Sequence, residues 1–382
     1  MRSMQINSGN HPNIGIVSFP LLESGAVPLS NLIEILHSLS ENLYIISGNA
    51  ATALSKRYKG DNIYIYLVNH EAGTNTFTRI VKFIYTQLRI SCKLARITKH
   101  VDLWFFFLGE GGLLLPMLTA KLLRKEVVIV SAASNVSISK AQLDSLSKPI
   151  FLLEKINRVL SNKIILYSPN LIKEWNLEKY RHKISIAHEH FLDFDKFKVE
   201  KPLGERGNLV GYVGRLSKEK GILNFLEAIP GVLEARDEVT FLIGGDGQMR
   251  PQVEECANKL DGKVKFVGWI SHDELPRYLN ELKLLVLPSY TEGLPNIMLE
   301  AMACGTPVLA TPVGAIPDII KDGETGFIME DNSPECIAQN IIRALNHPNL
   351  EQIARNARAL VEKEFTFEKA VERYGKIVNG EL

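Results

Sequence analysis

Four charged residues in the second half of this 382-residue chain have types and neighbours suited to holding a phosphorylated sugar. In Gly211–Gly221, GYVGRLSKEKG, an apolar run ends at Gly214, and Arg215 and Lys220 follow. Gly221 then opens a predicted helix. Two cations beside glycines that allow close backbone approach suit a diphosphate. The plainer alternative is a solvated charged loop after a strand. In Pro288–Gly305, PSYTEGLPNIMLEAMACG, Glu292 and Glu300 stand in an E-x7-E spacing. Pro295 suits the first turn of a helix and Gly305 its stop, with Leu294, Met298, Ala301 and Met302 as the apolar stripe. Glu292 thus precedes a helix N-terminus, where amides and the helix dipole favour an anion. Two carboxylates there accept hydrogen bonds from sugar hydroxyls while the amides hold phosphate. The spacing alone is weak in a glutamate-rich chain; its place after a buried strand gives it weight.

These loops need strands to carry them. Short β-branched and aromatic runs alternate with helix-length segments throughout. The first series is Ile14–Ser18, Leu43–Ser47, Ile63–Val68, Leu103–Leu108, Val127–Ser131, Lys163–Tyr167 and Ile184–Ala187. The second is Leu209–Val213, Val239–Ile243, Val264–Val267, Leu284–Pro288, Val308–Ala310 and Gly326–Met329. Strands this apolar indicate parallel sheets covered on both faces, hence an α/β chain of two doubly wound Rossmann-like domains. Ligands of such sheets bind at the carboxyl ends of the strands. We expect a first domain over 1–200 and a second over 207–365, with the boundary in the charged, Gly- and Pro-containing Phe194–Gly207. A last helix, within 366–382, is expected to pack back on the first domain. The glycine turns Gly244–Gly247, Gly268, Gly314 and Gly323–Gly326 adjoin strands, and each is also explained as a tight βα turn.

Composition is that of an ordinary globular protein, 46% hydrophobic and 23% charged. Four scattered cysteines, Cys92, Cys256, Cys304 and Cys336, give neither a zinc spacing nor a disulfide framework and fit a reducing cytoplasm. MRSMQINSGN has no apolar core, so no signal peptide is expected. Val101–Leu123 is apolar but broken by charges, Pro116 and glycines, and reads as strand, turn and helix rather than a membrane span. The net charge of +1 hides an asymmetry: residues 1–200 hold 24 Lys and Arg against 16 Asp and Glu, and residues 201–382 hold 20 against 27. The halves therefore meet different partners.

Taken in order, GRLSKEKG, GGDG, VGW, LPSYTEGLPNIMLEAMACGTPVLAT, VGAIPDII and DGETGF make Gly211–Met329 resemble the donor domain of the retaining GT-B glycosyltransferases of family 4, the glycosyl transferases group 1 family. The resemblance implies two Rossmann-like domains facing a cleft and transfer of a sugar from a nucleoside-diphosphate sugar to an acceptor hydroxyl. By it, Arg215 and Lys220 grip the donor diphosphate, with Gly214 beside them. Glu292 contacts the hydroxyls of the transferred sugar, and Glu300 holds the ribose. The amides of Gly293 and Leu294, ahead of Pro295, meet the phosphates. Neither metal nor cofactor is implied, the nucleotide sugar being a substrate. The acceptor would be a glycan or a lipid-linked molecule in cell-surface glycan, glycolipid or polysaccharide synthesis. Of the family's Gly-Gly loop before its first helix, this chain keeps Gly25, followed by Ala26. Where the family has a histidine near the sugar, FFFLGEGG offers Glu110, and where it reads N-G-V-D, IAHEHFLDFDKF offers His188 and His190. These departures keep open a non-catalytic nucleotide-sugar-binding scaffold or sensor. A nucleotide-sugar epimerase and a phosphorylase-type enzyme are the remaining alternatives.

One feature lies outside that resemblance. On a helical wheel Arg79, Lys82, Arg89, Lys93 and Arg96 share an arc of about 100°, and Phe77, Ile80, Ile84, Leu88 and Ala95 share another. No acidic residue lies between Glu71 and Asp102. The pattern fits either a surface helix with its apolar arc in the core, or a peripheral element on the anionic inner face of a membrane. No nucleic-acid-binding module is found, and the stripe lacks interleaved aromatics.

Overall fold

The computed structural model describes residues 11–20, 25–58, 62–71, 73–109, 112–131, 147–260 and 262–381. The amino-terminal MRSMQINSGN and Glu110 lie outside them. The described residues fall into two compact units: one takes those up to Phe191 and from Phe367 onward, the other takes Leu192–Thr366.

The first unit holds seven strands: β1 (Ile14–Val17), β2 (Leu43–Ser47), β3 (Ile63–Leu67), β4 (Leu103–Phe107), β5 (Glu126–Ser131), β6 (Lys163–Leu166) and β7 (Ile184–Ile186). They form one parallel sheet in the order β3-β2-β1-β4-β5-β6-β7. The order reverses between β1 and β4, as doubly wound sheets require. Both faces are covered, so β4 reads LWFFF and is buried along its whole length. The C-terminal helix Phe367–Val378 packs on this unit, setting Tyr374 against Phe105 with ring centroids 6.3 Å apart.

The helix Thr76–Ile97 starts at a capping box of Asn75 and Thr78. It buries Thr86, Gln87, Ile90, Leu94 and Ile97. The arc of Phe77, Ile80, Ile84, Leu88 and Ala95 is therefore not its core face; all five are exposed. The helix carries two apolar stripes, and the one at Ile90, Leu94 and Ile97 lies on the sheet. Thr86 and Gln87 are accommodated there by His70 Nδ1, 2.8 Å from Thr86 Oγ1, and by the Leu115 N–H, which donates to Gln87 Oε1 at 3.0 Å.

The second unit holds β8 (Leu209–Val213), β9 (Thr240–Gly244), β10 (Val264–Gly268), β11 (Leu284–Leu287), β12 (Val308–Ala310) and β13 (Phe327–Ile328), parallel in the order β10-β9-β8-β11-β12-β13. Its core joins Phe225 and Ile229 to Phe241, Val286, Phe327 and Ile341. The segment leading into β8 packs onto it through Phe197, Leu203 and Arg206. The buried Arg206 guanidinium donates to the carbonyls of Lys201, Leu282 and Cys304 at 2.9, 3.0 and 2.7 Å, and to Thr306 Oγ1 at 2.7 Å. All thirteen strands named here lie within one residue of the runs picked out above.

Candidate functional site

In the second unit β8 and β11 are neighbours, and the sheet extends from them in opposite directions. Connections leaving two such strands diverge and open a crevice at their carboxyl ends. The loop after β8 holds Gly214, Arg215 and Lys220; the loop after β11 holds Glu292, Gly293 and Leu294. The topology thus brings together the two segments singled out by residue type.

Side-chain and backbone contacts then set the distances. The Gly214 N–H donates to the Gly244 carbonyl at 3.0 Å and the Leu216 N–H to the Asp246 carbonyl at 2.9 Å, seating the first loop on the GGDG turn. The Tyr212 hydroxyl donates to the Arg215 carbonyl at 2.8 Å. Burial pushes the Tyr212 pKa up, so it stays a neutral donor. Gly221 adopts φ +70°, and a Cβ there would lie 1.9 Å from the Pro288 carbonyl oxygen. Only a glycine lets the two loops approach so closely. The Tyr290 N–H donates to the Glu219 carbonyl at 2.9 Å and joins them further on.

Lys220 and Glu292 meet as a result. The Lys220 Nζ lies 2.8 and 2.7 Å from Glu292 Oε1 and Oε2. The Ser289 hydroxyl donates to Oε1 at 2.7 Å. The Glu292 side chain is 7% exposed and that of Lys220 30%. An ammonium has three donors; two go to the carboxylate and one is left for an incoming anion. Arg215 is half-exposed, its guanidinium 3.9 Å from the buried Glu219 carboxylate.

Glu292 is followed by Gly293 and Leu294, whose N–H groups find no acceptor among the described residues. Pro295 is the N-cap residue of the helix Asn296–Ala303, with extended backbone at ψ 119°. The Gly293 carbonyl accepts from the Ala315 N–H at 2.8 Å, tying the loop after β12 to the same point. Two unpartnered amides ahead of a helix N-terminus are donors of the kind that can receive an anion. Glu300 lies on that helix, buried, with Oε1 3.0 Å from His272 Nε2. His272 Nδ1 is 3.0 Å from the Lys196 ammonium. Because an ammonium only donates, Nδ1 accepts and Nε2 carries the proton given to Glu300.

Arg215, Lys220, Glu292, Gly293, Leu294, Pro295 and Glu300 thus belong to one unit, on loops and a helix around β8 and β11. Gly25 lies in the first unit, at the start of the helix Ala26–Ser38 that follows β1. Sequence reasoning missed Ser289 and His272. Ser289 was visible within the SYTEG loop, but His272 has no local signal, because its partners Lys196 and Glu300 are distant in the chain. No group of three or more His, Cys, Asp or Glu side chains suited to a metal occurs among the described residues.

The family model described as Glycosyl transferases group 1 matches residues 207–347. The second unit belongs to that family. The capsular polysaccharide biosynthesis glycosyltransferase CapM of Staphylococcus aureus is 30% identical over 57% of this chain and 61% of its own. The N-acetyl-alpha-D-glucosaminyl L-malate synthase of Bacillus anthracis is 24% identical over 95% of this chain and 96% of its own. The chain spans about half to three fifths of the length of the first curated relatives it matches. Among solved structures, Anabaena HepE in complex with UDP superimposes with a TM-score of 0.75 at 15% identity, covering 96% of this chain and 100% of that one. It shares the two-domain GT-B fold.

Proposed function

We propose that the chain is a glycosyltransferase that moves a sugar from a nucleoside-diphosphate sugar to an acceptor hydroxyl, in the synthesis of cell-surface glycan, glycolipid or polysaccharide. One observation carries this reading. A lysine from one loop and a carboxylate from another are held at 2.7–2.8 Å, beside two unpartnered amides at a helix N-terminus. That combination offers positive charge to a diphosphate and hydrogen-bond acceptors to a sugar. The names of relatives agree: CapM is a capsular polysaccharide glycosyltransferase, and HepE was crystallised with UDP and with UDP-glucose.

In the mechanism we propose, Arg215, the free donor of Lys220 and the amides of Gly293 and Leu294 take the diphosphate, and Gly214 lets it approach the backbone. Glu292 accepts hydrogen bonds from the transferred sugar, and Glu300, oriented by His272, from the ribose. The acceptor hydroxyl attacks the anomeric carbon on the face that the diphosphate leaves. Its proton passes to the departing phosphate oxygen, and configuration is retained. Charge developing on the leaving group meets donors already in place, so the reaction runs without a metal. Four unpaired cysteines support placing this activity in the cytoplasm.

Nucleoside diphosphate released from a panel of nucleotide sugars, with and without acceptor extracts and in the presence of EDTA, tests the proposal. Acceptor-dependent release that survives EDTA and falls about a hundredfold in Arg215→Ala supports it. Epimerised sugar formed without acceptor, or no turnover with any donor, refutes it.

A further inference from the structure

The helix Thr76–Ile97 turns Phe77, Ile80, Val81, Ile84, Tyr85 and Leu88 outward, each at least 45% exposed and Phe77 75%. The helix Leu114–Leu122 packs beside it and itself exposes Leu118, Leu122 and, at its C-cap, Leu123, with Leu122 82% exposed. Scattered exposed apolar residues are ordinary, but six along one face of a single helix mark a binding surface. Arg79, Lys82, Arg89, Lys93 and Arg96 line one flank of that row. Lys82 is 3.4 Å from Glu71, and Arg89 lies over the Tyr85 ring at 5.7 Å. No carboxylate occurs on this helix.

We propose that this face docks the protein on an anionic lipid surface. The apolar row enters the boundary between headgroups and acyl chains, and the basic flank meets lipid phosphates. A helix with one apolar face and a cationic flank lies in the plane of such an interface, and the long cationic side chains reach back to the phosphates. No helix among the described residues is long and apolar enough to cross a membrane, so the association is peripheral. Charge selects this partner over the others. Two copies paired through the face would set five cations against five with no carboxylate on the helix to offset them. A nucleic acid would neutralise the cations but leave the aliphatic row in water. The inference rests on the first unit alone and does not depend on the transferase reading.

The test is co-sedimentation of the full chain with phosphatidylcholine vesicles, with and without phosphatidylglycerol, at low and high salt. We expect binding to the anionic vesicles that Arg89→Gln/Lys93→Gln weakens roughly 10- to 30-fold. Phe77→Ser/Leu88→Ser is expected to leave a residue of binding that high salt removes completely. All four positions are exposed or half-buried, and melting curves check that each variant is folded; either variant alone decides. Equal binding to both kinds of vesicle, no binding, or a solution dimer that Phe77→Ser/Leu88→Ser dissolves overturns the proposal.

Discussion

Gly221→Ala perturbs the contact on which the proposed donor site depends. At φ +70° an alanine bears a left-handed penalty of about 1–2 kcal/mol. Its Cβ would also lie 1.9 Å from the Pro288 carbonyl oxygen, and ordinary contact begins near 3.4 Å. One loop must therefore retreat by about 1.5 Å, the difference of those two distances. Forcing a methyl group into a packed site adds about 1–3 kcal/mol. Gly323→Ala separates the two contributions, because Gly323 has φ +72° and a Cβ added there would meet no atom within 4 Å. It should show the backbone penalty alone. At roughly 2–4 °C per kcal/mol for a unit of this size, that extra 1–3 kcal/mol should make Gly221→Ala melt about 2–12 °C below Gly323→Ala. Whichever loop retreats, it carries either Lys220 or Ser289 and Glu292, and misplacement by about 1 Å costs roughly a hundredfold in turnover. Thermal melts and donor turnover of both variants, purified alike, check this. If Gly221→Ala melts with Gly323→Ala and keeps parental turnover, the close approach of the loops does not build the site.

Three further outcomes follow from the same geometry. Lys220→Ala leaves the nearly buried Glu292 with Ser289 alone and should cost about 1–2 kcal/mol of stability, whereas Arg215→Ala should change it by less than about 0.5 kcal/mol; equal melting temperatures would contradict the ion-pair geometry. His272→Ala should weaken nucleoside-diphosphate binding about three- to tenfold by calorimetry while leaving pyrophosphate binding unchanged, because it frees the Glu300 carboxylate and leaves the phosphate donors intact; an equal loss for both ligands would contradict that role. Burial raises the Glu189 carboxyl to about 7, although its hydrogen bond from Tyr167 at 2.5 Å pulls the other way. The folded chain then keeps a proton that the unfolded chain releases above its ordinary value of 4.5. Stability from this group is present at low pH, falls as pH rises, and is lost above about 7. Glu189→Gln should therefore gain on the parent by about 3 kcal/mol between pH 4.5 and 8 in denaturant titrations; a difference constant with pH would show that Glu189 is not held protonated.

The strands were legible because parallel strands buried on both faces need continuous apolar runs, and LWFFF, LVGYV and LLVL are such runs of strand length. The meeting of the charged loops after β8 and β11 was legible because their residues lie in two short segments directly after those strands. Contacts made across long separations were not legible. Nothing near His272 announces Glu300, and nothing near Arg206 announces the Cys304 and Leu282 carbonyls it holds. The helix Thr76–Ile97 was ambiguous for a different reason. It has two apolar stripes, and a wheel drawn from sequence does not say which one the sheet covers.

Nucleotide binding by the second unit is tested most directly by thermal shift of the full chain with nucleoside-diphosphate sugars, free nucleoside diphosphates and unphosphorylated nucleosides, in the parent and in Arg215→Ala. At a hundred times its Kd a ligand adds roughly 2.7 kcal/mol. We predict stabilisation by one class of nucleotide sugar and its diphosphate, little from the nucleoside, and loss of the response in Arg215→Ala. A response to the nucleoside equal to that of its diphosphate, or one unchanged in Arg215→Ala, would contradict diphosphate binding at this site.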